Sequence, residues 1–322
     1  MVALINNAIK VSDFRIFLLQ NEKEERMTQV KGTRPLGASG LIVSSLGVGT
    51  NKWNFGKNDE PVLETFQSSL DAGIGFFDTA EVYGFGKSER LLGECMRRTK
   101  RQAIIATKYA PIPTRHMGKA LEASLERLGM QTLDLYYIHF PIGRIEALMD
   151  QTAQAFQQGK IRAVGVSNFS AEQMRRAADR LAHYNIPLAA NEVQYNLLHR
   201  QPEVNGVLDA CRELNVALVA YVPLVSGRLI ASTSQAASAS SDSSSGEGHE
   251  TLQKVLQTIA EKRGKSVSQV MLNWLLLRDE HIIPIPGSTK AAHAMANAEA
   301  LNWELSDEEF TEIDQASSPK KQ

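Results

Sequence analysis

The 322-residue chain predicts an α/β fold, a (β/α)8 TIM barrel, and three observations carry that reading. Apolar, strand-like runs end near Val48, Phe77, Ala106, Ile138, Val166, Val193, Val222 and Ile285, which makes eight. All successive gaps but the last are roughly 30 residues, the length of one strand, one helix and two short loops. The C-terminal ends of the runs carry "TNKW", "DTAEVYG", "TKY", "IHF", "VSNF", "VQYN", "YVPL" and "PGSTK", nearly all polar or aromatic. A doubly wound open sheet alternates strand and helix in the same way. Polar residues at every strand end favour the barrel, whose chemistry sits on that face.

In chain order, the first 26 residues hold "FRIFLL", broken by Arg15 and followed by "NEKEER". This is too interrupted for a signal peptide and too acidic for a transit peptide, and reads as a start-site artefact or a fraying arm. Residues 27–322 form one domain. Its "RPLGASGLIV", with two glycines, reads as an N-terminal β-hairpin that closes the bottom of the barrel. Between the runs, "LETFQSSLDAG" and "MGKALEASLERLG" repeat apolar residues at three and four and then meet a Gly helix stop. "SAEQMRRAADRLA" opens on a Ser that can cap. The longer last gap contains "STSQAASASSDSSSGEGHE", too poor in apolar residues to pack a core, so residues 231–250 are expected to be a flexible loop. "TLQKVLQTIAEKRG" and "SVSQVMLNWLLLRD" then read as two helices before the short strand "IIPIPG". One of them is additional to the βα repeat.

Thirty-five basic and 36 acidic residues leave a formal charge of -1, spread along the chain, so no basic field is available for nucleic acid or an anionic membrane. A small-molecule partner is the better expectation, with a monomer or weak homo-oligomer. The longest apolar stretch, Val216 to Val225, is about half of what a membrane span needs. Two cysteines, Cys95 and Cys211, lie far apart in helix-like segments, as expected of core thiols in a reducing, cytoplasmic setting. His116, His183, His199, His249 and His281 have no metal-ligand spacing, and no metal is expected.

Asp78, Lys108 and His139 immediately follow the second, third and fourth runs, so adjacent parallel strands bring a carboxylate, an ammonium and an imidazole together. Tyr83, on the loop after the second run, reaches the same place, and "GKSER" begins the next helix. A free Tyr has a pKa of about 10 and is a poor donor near neutrality. A nearby cation is expected to lower that pKa, with a carboxylate holding the ammonium charged and aimed. The group suits carbonyl reduction or, run backwards, alcohol oxidation.

These residues lie in "GFFDTAEVYGFGKSERLLG", "ATK", "LDLYYIHFP", "VGVSNF" and "IPGSTK". In that order and spacing, from about Thr33 to Asp314, the chain resembles the aldo-keto reductases. The resemblance implies Tyr83 as proton donor, Asp78 and Lys108 as its tuning pair, and His139 as orienter of the substrate carbonyl. It implies a nicotinamide cofactor, NADPH rather than NADH. "GVGTNK" and "GFGKSE" both break the G-x-G-x-x-G fingerprint, which argues against a Rossmann site.

By the same resemblance, Ser167, Asn168 and Gln194 hold the carboxamide, Tyr221 stacks on the nicotinamide, and Leu224 and Ser226 lie along the pyrophosphate. Ser288, Thr289 and Lys290 precede a helix, where hydroxyls, a cation and free N–H groups suit a 2'-phosphate. His293 and Ala296 stand where many relatives carry Arg and Glu, Asn297 matches, and Val222 replaces a common Ser or Thr. Trp53, Phe85, Tyr109 and Phe140, after the first four strands, are expected to wall an apolar substrate pocket. Two further readings are a Schiff-base aldolase using Lys108 and a cofactor-binding regulatory subunit resembling potassium-channel β subunits.

Overall fold

The computed structural model describes residues 32–55, 59–112, 116–225, 229 and 246–318. The predicted extension over 1–26 and most of the Ser-rich stretch lie outside these residues.

Two short strands, β1 (Thr33–Pro35) and β2 (Ile42–Ser44), pair antiparallel as the expected hairpin. Eight parallel strands follow: β3 (Gly47–Gly49), β4 (Phe76–Asp78), β5 (Ile104–Tyr109), β6 (Leu133–Ile138), β7 (Ile161–Ser167), β8 (Leu188–Gln194), β9 (Ala217–Tyr221) and β10 (Ile282–Pro284). Each pairs with its sequence neighbour. The sheet nearly closes on itself through a parallel bridge between Gly49 and Gly287, with the Gly49 N–H donating to Pro286 O at 3.2 Å. A Cβ on Gly49 would sit 2.9 Å from Ile285 O, so this close approach requires glycine.

Helices pack around the barrel: α1 (Glu60–Asp71), α2 (Lys87–Thr99), α3 (Met117–Leu128), α4 (Ile145–Gln157), α5 (Ala171–Ala182), α6 (Gln201–Val204), α7 (Val207–Leu214), α8 (Gly246–Arg263), α9 (Val267–Arg278), α10 (Ala291–Ala298) and α11 (Asp307–Ala316). Ser170, Ser266 and Ser306 open α5, α9 and α11 with reciprocal capping boxes, each closing two backbone donors that a helix start leaves free. The loop expected over 231–250 ends earlier than its composition suggests, because α8 already starts at Gly246.

Side chains alternate across each strand. Phe77, Ile105, Tyr109, Tyr136, Ile138, Val164 and Val166 face out and form the large core beneath the helices. Phe76, Ala106, Leu135, Ala163, Ala190, Val219 and Ile283 face in, and with Leu36, Leu41 and Val43 of the hairpin segment they fill the lower barrel. Arg34 of β1, also buried, donates to Leu276 O at 2.5 Å, Asp279 O at 3.0 Å and Ile282 O, tying the hairpin to the end of α9 and to β10. Burial lowers its pKa to about 10, so it stays charged at neutrality. Among the described residues no helix is long and apolar enough to cross a membrane.

Candidate active site

Alternation that puts Phe76, Ala106 and Leu135 inside also puts Asp78, Lys108 and His139 inside, one or two steps nearer the C-terminal mouth. The Lys108 ammonium, fully buried, donates to Asp78 Oδ1, to Thr79 O at 2.9 Å and to Tyr83 Oη at 3.5 Å. It also lies 5.1 Å from the centre of the Tyr83 ring. The His139 ring meets that of Tyr83 edge to face at 6.1 Å and stacks on Phe140 at 4.3 Å. All four residues read from the strand ends therefore converge.

Helix α2 fixes this corner, and "GKSER" does more than begin it. Ser88 Oγ bonds Thr50 Oγ1 at 2.7 Å and accepts from Thr79 Oγ1 at 2.9 Å. Glu89, buried, accepts from Thr107 Oγ1 and from Arg127 Nε, both at 2.6 Å. The segment thus clamps the strand ends on both sides of Tyr83.

Glu192, which sequence reading passed over, is a fifth member. Its Oε2 lies 3.1 Å from Lys108 Nζ and its side chain is buried. The signal was available: Glu192 precedes Gln194 by two residues on β8 and so shares its inward face.

Electrostatics correct one expectation. Burial raises the Tyr83 pKa well above the ordinary range, outweighing the downward pull of Lys108, and the Glu192 and Asp78 charges add to the rise. The cation is shared with Asp78 and Glu192, and Tyr83 stays a phenol. Burial opposes the Lys108 charge, yet Asp78, Glu192 and Tyr83 together raise its pKa, and it stays an ammonium. His139 is lowered to about 3, by burial first and then by the Lys108 charge. It is a neutral imidazole at neutral pH.

Of the expected cofactor residues, Ser167, Asn168, Gln194 and Tyr221 lie at the ends of the neighbouring strands β7, β8 and β9. Asn168, with φ 62, donates its amide to His139 O at 3.1 Å and Ser167 Oγ at 3.0 Å, and accepts from Tyr221 Oη at 3.0 Å. Ser167 Oγ donates to Glu192 O at 3.0 Å. Gln194, Tyr221 and Leu224 are half-buried, while Val222 is exposed with φ 52, an uncommon conformation for a β-branched residue. Ser226 lies outside the described residues. After β10, Ser288 is buried and accepts from Asn297 Nδ2 at 3.2 Å, while Lys290 and His293 are exposed and Thr289 half-buried. Lys290 is the N-cap of α10, and its side chain makes no capping bond there.

The expected pocket wall is corrected at three of four positions. Trp53 is 1% exposed, packs on Phe77 and donates Nε1 to Ser288 O at 2.7 Å, because its short 3-10 turn, packed against α2, directs the ring into the core. Tyr109 is 4% exposed and falls on the outward phase of β5, one residue past inward Lys108. Phe85 is 95% exposed: Gly84, Phe85 and Gly86 all take positive φ, and this left-handed turn throws the ring into solvent. Phe140 is 40% exposed beside His139 and lines the mouth.

The profile of the aldo/keto reductase family matches residues 45–318. A chloroplastic pyridoxal reductase of Arabidopsis thaliana is 32% identical over 321 residues, 87% of this chain and 85% of the relative. The aldo-keto reductase yakc [NADP(+)] of Schizosaccharomyces pombe is 33% identical, over 77% and 80%. Among solved structures, an aldo-keto reductase from Klebsiella pneumoniae in complex with NADPH superposes with a TM-score of 0.76 at 25% identity, covering 91% of this chain and 97% of that one. A barrel closed from strand to strand, strand-end residues gathered at one mouth and a profile match along most of the length lead to one statement: the chain belongs to the aldo/keto reductase family.

Proposed function

We propose that the protein reduces aldehydes or ketones to alcohols with NADPH, using Tyr83 as the general acid. The observation that carries this reading is Lys108, held charged by Asp78 and set against the Tyr83 hydroxyl, with neutral His139 beside it.

Ser167, Asn168 and Gln194 offer both amide donors and oxygen acceptors at the mouth, the chemistry a nicotinamide carboxamide requires, and the Tyr221 ring borders them. A reduced nicotinamide, when bound, supplies the hydride. At the other end of the cofactor, Lys290 and the uncapped first turn of α10 suit a 2'-phosphate. Relatives bearing the names pyridoxal reductase and aldo-keto reductase [NADP(+)], and a structural neighbour crystallised with NADPH, support the same assignment.

The residues divide the remaining work. A neutral His139 presents an N–H to the carbonyl oxygen and sets its direction. As negative charge develops on that oxygen, the Tyr83 proton moves to it, and the adjacent Lys108 ammonium stabilises the phenolate left behind. Outside the transition state the phenol keeps its proton, as its raised pKa requires. Lys108, kept an ammonium by its acidic neighbours, has no lone pair for a Schiff base, which speaks against the aldolase reading.

A carbonyl panel, including pyridoxal-like and aryl aldehydes, assayed with NADPH and NADH in parallel tests the assignment. Tyr83→Phe should keep cofactor binding by fluorescence titration and lose roughly 10²- to 10⁴-fold in turnover. Unchanged turnover would remove Tyr83 from the role. Tight nucleotide binding without turnover on any carbonyl would instead favour a regulatory subunit.

A further inference from the structure

We propose that Glu192 is a positioning residue that holds an exchangeable proton over the Asp78–Lys108 pair and, by releasing it, weakens Tyr83 as an acid. The second half of this proposal rests on the reading of Tyr83 as the general acid. Two carboxyls, Asp78 and Glu192, and one ammonium occupy a region almost closed to solvent. With all three ionised, a net negative charge would be buried, which is costly.

Geometry indicates where the compensating proton sits. Asp78 Oδ1 has the direct ammonium bond and Glu192 Oε2 lies 3.1 Å from the same ammonium, while Asp78 Oδ2 is buried without a hydrogen bond among the described residues. The two carboxyl groups interact with each other as well as with Lys108. One proton held between the two carboxyl groups satisfies Asp78 Oδ2 and neutralises the excess charge. Lys108 faces Glu192 from β5, Asp78 from β4 and Tyr83 from the loop after β4; Tyr137 on β6 and Tyr221 on β9 also feel its charge.

Burial, then the Asp78 charge, raise the Glu192 pKa to about 8, against the opposing pull of Lys108. Below that pH the carboxyl is neutral. Above it a second negative charge stands beside Lys108 and raises the Tyr83 pKa further. A harder proton to give means slower reduction, so the rate should fall as pH rises through this window. The same Glu192 carries the backbone carbonyl that binds Ser167 Oγ and the Asn168 N–H, so its side chain and main chain couple the acid group to the proposed carboxamide site.

The experiment compares wild type with Glu192→Gln, which is neutral at every pH. At saturating cofactor, kcat/KM for carbonyl reduction is followed from about pH 6 to about pH 10. Wild type should drop about tenfold across the Glu192 titration, and the variant should not, so that it becomes the faster enzyme at alkaline pH. In parallel, infrared difference spectra without cofactor or substrate should show a protonated-carboxyl band in wild type that disappears with rising pH and is missing from Glu192→Gln. Superimposable rate profiles, or a wild type with no titrating carboxyl band, would overturn the proposal. If Glu192→Gln does not fold, the wild-type band and its displacement in Glu192→Asp decide the question. A fully active Tyr83→Phe would overturn the acid reading alone, since the infrared band reports Glu192 independently.

Discussion

His139 shows how a single buried ring links the proposed chemistry to stability. Holding its pKa near 3, burial and the Lys108 charge make it a hydrogen-bond donor and remove it as an acid. Its ordinary pKa of about 6.5 applies in the unfolded chain, which therefore takes up a proton that the folded chain refuses. The stability this residue contributes is present above about pH 6.5 and is lost as pH falls towards 3, by up to about 1.4 kcal/mol per pH unit. His139→Gln should flatten that part of the acid limb. Melting temperature measured across the window checks it, and an unchanged slope would mean that other groups carry the acid sensitivity.

At the scale of elements, the barrel is held by strand closure and by capped helices, and each can be probed. Gly49→Val would drive a side chain into Ile285 O, opening the junction of β3 with β10. A loss of about 1–3 kcal/mol is expected in urea unfolding. Ser266→Ala, by removing the capping box of α9, should cost about 1 kcal/mol in the same unfolding measurement. The strands themselves were legible in the sequence because apolar runs and Gly stops recur with the βα period, and the Asp78, Lys108 and His139 group was legible because these residues sit at strand ends, with Tyr83 on the loop that follows the first of them. Register was harder. Trp53 and Tyr109 read as pocket residues by position, yet Trp53 leaves a 3-10 turn into the core and Tyr109 takes the outward phase of β5, and Glu192 was hidden in mid-strand where a polar residue reads as incidental. The start of α8 within a Ser-rich stretch carried no apolar repeat to announce it.

For the whole molecule, ligand binding should register as stability. A cofactor that binds only the folded barrel raises its free energy of unfolding by about 2.7 kcal/mol at a concentration one hundred times Kd. NADPH should therefore raise the melting temperature by several degrees, and NADH by less at equal concentration, if Lys290 and α10 read the 2'-phosphate. Equal shifts would remove that role. Arg34 adds a consequence in time. Its acceptor at Asp279 lies 245 residues downstream, near the last barrel strand. A ribosome adding about 5–20 residues per second needs roughly 12–50 s to deliver it. Through that interval Leu36, Leu41 and Val43 have no finished floor to cover, and β3 waits as an unpaired edge for a partner not yet made. The newborn chain is most exposed to aggregation in those seconds, and the barrel can first close only once β10 has been made.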